Sequence, residues 1–162
     1  VHRRASVKKL EAGDPVYFCF CNMAQFKQYK LGFDRMFNIR RVSDQAADVQ
    51  QAAIDAQQAA LRVVRPGITA EAVAEEANEV YRDRGYAPSY RTGRSIGMAY
   101  LETPELKSGD VTVLQEGMTF AVDGGISVDG QYGGRIGDSI VVTADGFEYL
   151  TEYPREVVVI DS

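Results

Sequence analysis

Leu61-Arg62-Val63-Val64-Arg65-Pro66-Gly67-Ile68-Thr69 is the stretch on which the fold turns, because one helical pattern stops in it and another begins. Pro66 lacks a backbone N–H and Gly67 tolerates a left-handed backbone, so together they close the upstream helix. Thr69 then offers a capping oxygen, and Ile68 and Val73 form a hydrophobic staple across it. Working upstream, Val49, Ala53, Ala56, Ala60, Leu61 and Val64 recur at helical spacing from a start marked by Val42-Ser43-Asp44: an apolar residue, a serine cap and an acid in the first turn. Working downstream, Val73, Ala77, Val80 and Tyr81 make the apolar face of a second helix that Gly85 caps. So short a connection predicts two helices packed side by side.

Both flanks read as strands. Val16-Tyr17-Phe18-Cys19-Phe20-Cys21, after the turn signal Ala12-Gly13-Asp14, predicts a strand from Pro15 to Cys21 buried on both faces. A second strand, Tyr29 to Ile39, completes an antiparallel hairpin. After Tyr90, strands are expected at 95–101, 119–122 with a continuation to 128, 135–143, 147–150 and 156–160, separated by Pro104, Ser108-Gly109-Asp110, Asp129-Gly130, Gly133-Gly134 and Asp145-Gly146. The class is α+β, a curved antiparallel sheet backed by helices.

The 162 residues, 45% hydrophobic, suffice for one compact domain. Eighteen basic against 23 acidic side chains give a net charge of −5, which argues against a nucleic-acid partner. Residues 1–41 hold nine basic and three acidic side chains, so a basic amino-terminal end is hidden in that total. No apolar run reaches the length of a membrane span. The two cysteines, Cys19 and Cys21, are expected on one strand face about 7 Å apart, awkward for a disulfide, and a reducing cytoplasm is the expected home. With valine first, the chain is expected to be a fragment or processed product.

Asp123 is the acid hardest to explain by packing, since it stands in an apolar strand and is followed by Gly124-Gly125. Several strings occur in a telling order: Leu10-Glu11-Ala12-Gly13-Asp14; Arg65-Pro66-Gly67; Gly93-Arg94-Ser95-Ile96-Gly97; Gln115-Glu116-Gly117-Met118-Thr119-Phe120; Gly134-Arg135-Ile136-Gly137-Asp138-Ser139; and Leu150-Thr151 before Pro154-Arg155-Glu156. Together they resemble the catalytic domain of the creatinase, prolidase and methionine aminopeptidase family. The resemblance implies a pita-bread fold over nearly the whole chain, as a single partial domain, 1–162, whose upstream half would lie before Val1.

Most members of that family are peptidases with two metal ions held by two aspartates, a histidine and two glutamates. Matched position by position, the ligands fall on Cys19, Gly32, Arg94, Asp123 and Gly137, and the histidine that assists the peptidases falls on Leu101. Only Asp123 keeps a hard oxygen donor. No metal and no cofactor are therefore expected. In the metal-free creatinase branch, a histidine eleven residues before the Gly-Asp pair carries the proton, and His2 stands eleven residues before Gly13. The same branch holds its guanidinium with acids that match Asp34 and Asp123, and binds the substrate carboxylate with a base near Lys107.

The resemblance thus implies a metal-independent, creatinase-like hydrolase acting on a C–N bond of a small amidino, amide or betaine-type compound. His2 would be its general acid and base, Asp34 and Asp123 its cation holders, and Lys107 or Arg94 its carboxylate contact. An imidazole suits that role because it titrates near neutrality. The alternatives are a catalytically inactive pseudo-peptidase that binds peptide or protein, and an Xaa-Pro dipeptidase-like metallopeptidase. The expected partners are a small-molecule substrate and a second copy of the chain, with neither nucleic acid nor membrane.

Overall fold

The computed structural model describes residues 6–21, 23–24, 26–88 and 90–161. Its strands are β1 (Pro15–Cys19), β2 (Met23–Ala24), β3 (Lys30–Leu31), β4 (Asp34–Ile39), β5 (Gly93–Ser95), β6 (Glu102–Leu106), β7 (Thr119–Val122), β8 (Gly125–Val128), β9 (Tyr132–Arg135), β10 (Asp138–Val142), β11 (Phe147–Tyr149) and β12 (Val158–Ile160). Helix α1 spans Asp44–Val63 and α2 spans Ala70–Asp83. One sheet runs β1-β4-β12 and another β11-β10-β7-β5-β6, while β2-β3 and β8-β9 form two-stranded ribbons.

The helix pair forms as its caps dictate. Ser43 accepts from the Ala46 N–H and Thr69 from the Ala72 N–H. Alanines at 52, 56 and 60 of α1 and at 70, 74 and 77 of α2 are all buried, which lets the two helices and the sheet beneath approach closely. Phe120, Val122, Ile140, Val142, Leu106 and Leu114 complete that core. Where α1 crosses β9 the contact is tighter still. A Cβ at Gly134 would collide with the Val49 carbonyl, so only glycine fits between strand and helix there.

The strands differ from the sequence reading in identifiable ways. β1 is an edge strand with Phe18 exposed, because its aromatics stack on one another (Phe18 on Phe20 at 6.1 Å, Phe18 edge-on to Phe37 at 5.5 Å) instead of entering a two-sided core. The expected strand 29–39 breaks at Gly32-Phe33, and the expected strand 135–143 breaks at Ile136-Gly137. Pro104 lies inside β6 and does not end a strand. β12 pairs parallel to β4, within an otherwise antiparallel arrangement.

Two of these breaks build the site. β7 runs on into β8 through Asp123-Gly124, and β9 into β10 through Ile136-Gly137, so both strands of one long hairpin bend at the same level. β4 attaches at the bend: the Asp34 N–H donates to the Gly137 carbonyl at 3.0 Å and the Gly137 N–H returns to Asp34 at 3.1 Å. Arg35 clamps the junction from below, donating to the carbonyls of Asp34 and Gly137 and to the Asp138 carboxylate at 2.8 Å. Asp138, wholly buried, also accepts from Gln57, Thr151 and Arg155, so helix α1 and the carboxy-terminal segment are tied to the same atom pair.

The Gly134 contact gives a direct test. Gly134→Ala should lower unfolding stability by about 1–3 kcal/mol through overpacking. Gly133→Ala, where the nearest atom to a new Cβ is 3.6 Å away, should change the urea midpoint much less.

Candidate active site

The bend gathers side chains from five strands or their ends. Asp34 starts β4, Arg94 is the middle of β5, Asp123 follows β7, Arg135 ends β9, and Tyr17 and Cys19 come from β1 with Cys21 just beyond it. Arg94 is 1% exposed and Asp34 and Asp123 are fully buried. Arg94 Nη1 donates to Asp123 Oδ2, Nε to the Tyr100 carbonyl at 2.8 Å, and Nη2 to Cys21 Sγ at 3.5 Å. Arg135 Nη2 reaches the same Asp123 oxygen at 3.2 Å, and its Nε lies 3.4 Å from Asp34 Oδ2. Two permanent cations thus face two carboxylates in a site without net charge. Burial pushes the Cys21 thiol up to about 12, with Cys19 and Asp34 beside it adding to the effect. Burial likewise raises the Tyr17 phenol.

Cys21 does not sit 7 Å along a strand face from Cys19. β1 ends at Cys19 and the chain turns, so both thiols and an Asp34 oxygen lie within 4.8 Å of one another.

Next to the cluster is a cavity of about 440 Å³ lined by Tyr17, Met36, Tyr90, Ile126 and Arg135, among others. The Arg135 guanidinium stacks over the Tyr90 ring at 4.8 Å and the Tyr17 ring at 5.6 Å. Of the five buried side-chain polar atoms without a hydrogen-bond partner among the described residues, Tyr17 Oη and Arg135 Nε belong to residues that line it, and Asp34 Oδ2 and Asp123 Oδ1 belong to the two carboxylates that Arg135 contacts.

The structure therefore brings together three of the residues singled out from sequence, Asp34, Asp123 and Arg94. Arg94 is committed to Asp123 rather than left to face a substrate carboxylate. Lys107 lies apart: it is exposed, pairs with Glu105 at 2.8 Å, and lines a different cavity with Asn78, Arg91 and Thr92. His2 lies outside the described residues. Sequence reasoning missed Arg135 and Tyr17. A basic residue among Gly133, Gly134 and Gly137 in an otherwise apolar run was the available signal for Arg135. Nothing local marked Tyr17.

The model of metallopeptidase family M24 matches residues 1–144. The chain belongs to that family. The probable dipeptidase PepE of Mycobacterium tuberculosis is 39% identical over 107 residues, which cover 65% of this M24 chain and 28% of the relative. The Xaa-Pro dipeptidase of Pyrococcus furiosus is 28% identical over 159 residues, 97% of this chain and 45% of the relative. The crystal structure of dipeptidase PepE from Mycobacterium ulcerans superposes with a TM-score of 0.91 at 34% identity, covering 97% of this chain and 43% of that one. The M24 chain spans less than half the length of each, and it shares their pita-bread fold.

The family's name implies metal, and the residues here do not fit its two-ion centre. Arg94, at the position where the resemblance puts a ligand histidine, donates a guanidinium N–H to Asp123. A Cβ at Gly137 would lie 2.8 Å from Asp34 Oδ2 and 2.9 Å from the Asp123 Cβ, and one at Gly32 would lie 2.7 Å from the Ala121 Cβ and 3.2 Å from Arg94 Nη2. The space that acidic side chains would need at Gly32 and Gly137 is thus already filled by Arg94, Ala121 and Asp34.

Arg94→Met should leave Asp123 and Asp34 facing one guanidinium and cost about 3 kcal/mol, the scale for breaking a buried pair by removing one partner. Adding Asp123→Asn should restore part of the loss, and chemical denaturation of the single and double variants reads the coupling.

Proposed function

We propose that this chain forms the substrate-facing part of an M24 hydrolase that cleaves a C–N bond in a small, zwitterionic, dipeptide-sized amide without the family's two-ion centre. The unpartnered buried atoms of the cluster beside the cavity carry the reading. Asp123 Oδ1 is an acceptor suited to an ammonium and Tyr17 Oη a donor suited to a carbonyl or carboxylate, while Asp34 Oδ2 and Arg135 Nε face each other at 3.4 Å. Groups left unsatisfied in a buried site cost stability unless a ligand completes them. The names of the relatives support a dipeptide substrate over a creatinase-type one, so the amidino and betaine classes are set aside.

In this reading Arg94 and Arg135 fix the two carboxylates in place and offset their charge, so the carboxylates orient the substrate rather than a cation pair. His2 remains the proposed proton carrier between water and the leaving nitrogen. Lys107 keeps no part in it, given its separate cavity. A homodimer in the cytoplasm is part of the proposal. Two free thiols are in keeping with a reducing compartment, and among the described residues no helix is long and apolar enough to cross a membrane.

A second reading, an inactive binder of peptides, is favoured by the Arg94–Asp123 pair, since a residue fixed on the metal-ligand carboxylate could equally mark lost catalysis. Amino-acid release from Xaa-Pro and other dipeptides by the full-length protein separates the two. Turnover is expected, with Asp34→Asn lowering kcat about a hundredfold, as when one preorganised charge contact is removed, and His2→Ala lowering it about 10²- to 10⁴-fold. Two equivalents of manganese, zinc, cobalt or iron per chain, with activity that requires them, would overturn the proposal in favour of the metallopeptidase alternative. Dipeptide binding without any turnover would establish the inactive binder.

A further inference from the structure

We propose that Cys19, Cys21 and Asp34 form a site for a single thiophilic divalent cation of the zinc class. The inference stands on the two thiols, which the dipeptide reading leaves unused, and on Asp34 Oδ1, the carboxylate oxygen turned to Cys21, and does not depend on which bond is cleaved. One ligand atom from each residue lies within 4.8 Å of the other two. Around a tetrahedral zinc, with Zn–S near 2.3 Å and Zn–O near 2.1 Å, a sulfur and an oxygen ligand stand about 3.6 Å apart. Cys21 Sγ and Asp34 Oδ1 are 3.8 Å apart. That pair already has ligand spacing, and closing the third side asks for a movement of only about 1 Å by a side chain at the end of an edge strand.

Asp34 is held for such a task. Its backbone is bonded in both directions to Gly137, its side chain is wholly buried, and Oδ2 faces Arg135 Nε at 3.4 Å, which turns Oδ1 to Cys21. The turn that presents Cys21 is fixed by the Phe20 N–H donating to the Phe33 carbonyl at 2.8 Å. Charge decides which ion can enter. Asp34 and Asp123 are balanced by Arg94 and Arg135, so a dication arriving with two thiolates leaves the buried site neutral. Two dications would need four further negative charges that the cluster lacks. Thiolate sulfur selects zinc, cobalt or cadmium over magnesium, calcium or manganese. Arg94 Nη2, 3.5 Å from Cys21 Sγ, donates a hydrogen bond that a metal-bound thiolate can keep.

Cobalt is the probe, because thiolate ligation produces an intense sulfur-to-cobalt charge-transfer absorption that oxygen or nitrogen ligands do not. Full-length protein, kept reduced, is titrated with Co²⁺ and then with Zn²⁺ as competitor. One equivalent should bind with that band, and zinc should bleach it. Cys19→Ser and Cys21→Ser should each weaken binding at least tenfold, since changes to mere supporting partners of a metal site already cost about 10- to 100-fold. Both positions are partly exposed, so these variants keep the fold, and unchanged circular dichroism checks it. Absence of the band at millimolar cobalt, or a band that survives both serine variants, overturns the site. One ion bound without thiolate absorption overturns this inference alone, whereas two ions bound without it overturn both this inference and the metal-free reading of the hydrolase.

Discussion

A permanent positive charge at Arg94, almost entirely out of solvent, is the constraint to which the rest of the site answers. Guanidinium cannot shed its proton to escape burial, so partners must be built around it. Asp123 provides the opposite charge, the Tyr100 carbonyl a neutral acceptor and Cys21 a soft one. The requirement reaches further than contact. Gly32 must stay small because Arg94 Nη2 occupies the space its side chain would take, and Gly137 must stay small because Asp34 and Asp123 press in from either side. Once the arginine is in place, neither glycine can return to a carboxylate without expelling something, so the departures from the family's ligand set hold one another in place.

The bend in the long hairpin makes this possible. A flat ladder would direct Asp123 and Arg135 along opposite strands with regular partners. By breaking both strands at one level, the chain frees Asp123 from ladder pairing and lets β4 dock through the Asp34–Gly137 bonds. The buried Arg35–Asp138 pair holds that junction from the side away from the cavity, bonding both carbonyls of the dock as well as the carboxylate. The two arginines have opposite surroundings: Arg35 lies over the rings of Phe33 and Tyr153, whereas Arg94 extends from a strand whose neighbours are Gly93, Ser95 and Ala121.

Much of the fold was legible because its signals are local. Ser43 and Thr69 cap, Pro66-Gly67 stops, and alanine spacing marks the buried faces, each within one turn of what it controls. The pita-bread architecture was legible through the order of its motifs. Sheet details were not, because pairing is decided at long range: β12 joins β4 in parallel across more than a hundred residues, and β1 is exposed because its aromatics find one another and not a second layer. The site shows the same division. Asp123 could be singled out by its strangeness in an apolar strand, and Asp34 and Arg94 through the resemblance of their motifs, but nothing in their neighbourhoods says that Arg94 is bound to Asp123, 29 residues away. Lys107 was chosen for its place relative to a turn, and a turn does not state which cavity it faces. The cysteine pair was misplaced because strand periodicity was carried two residues past the point where the strand ends.

The membership in M24 and the guanidinium-filled bend are not in conflict, since the two depend on different atoms. What the relatives share with this chain is the backbone fold, and here the helix pair, the bent hairpin and the dock of β4 are held by main-chain bonds and by the Arg35–Asp138 pair, without a ligand side chain. The ligand positions hang from that frame as side chains. A frame stabilised independently of its metal tolerates exchange of those side chains provided the charge sum stays near zero, and here two arginines against two aspartates meet that condition as two dications against five ligands would in the resemblance. Electrostatic neutrality of the bend, more than the identity of the ion or guanidinium that provides it, is the property the fold requires.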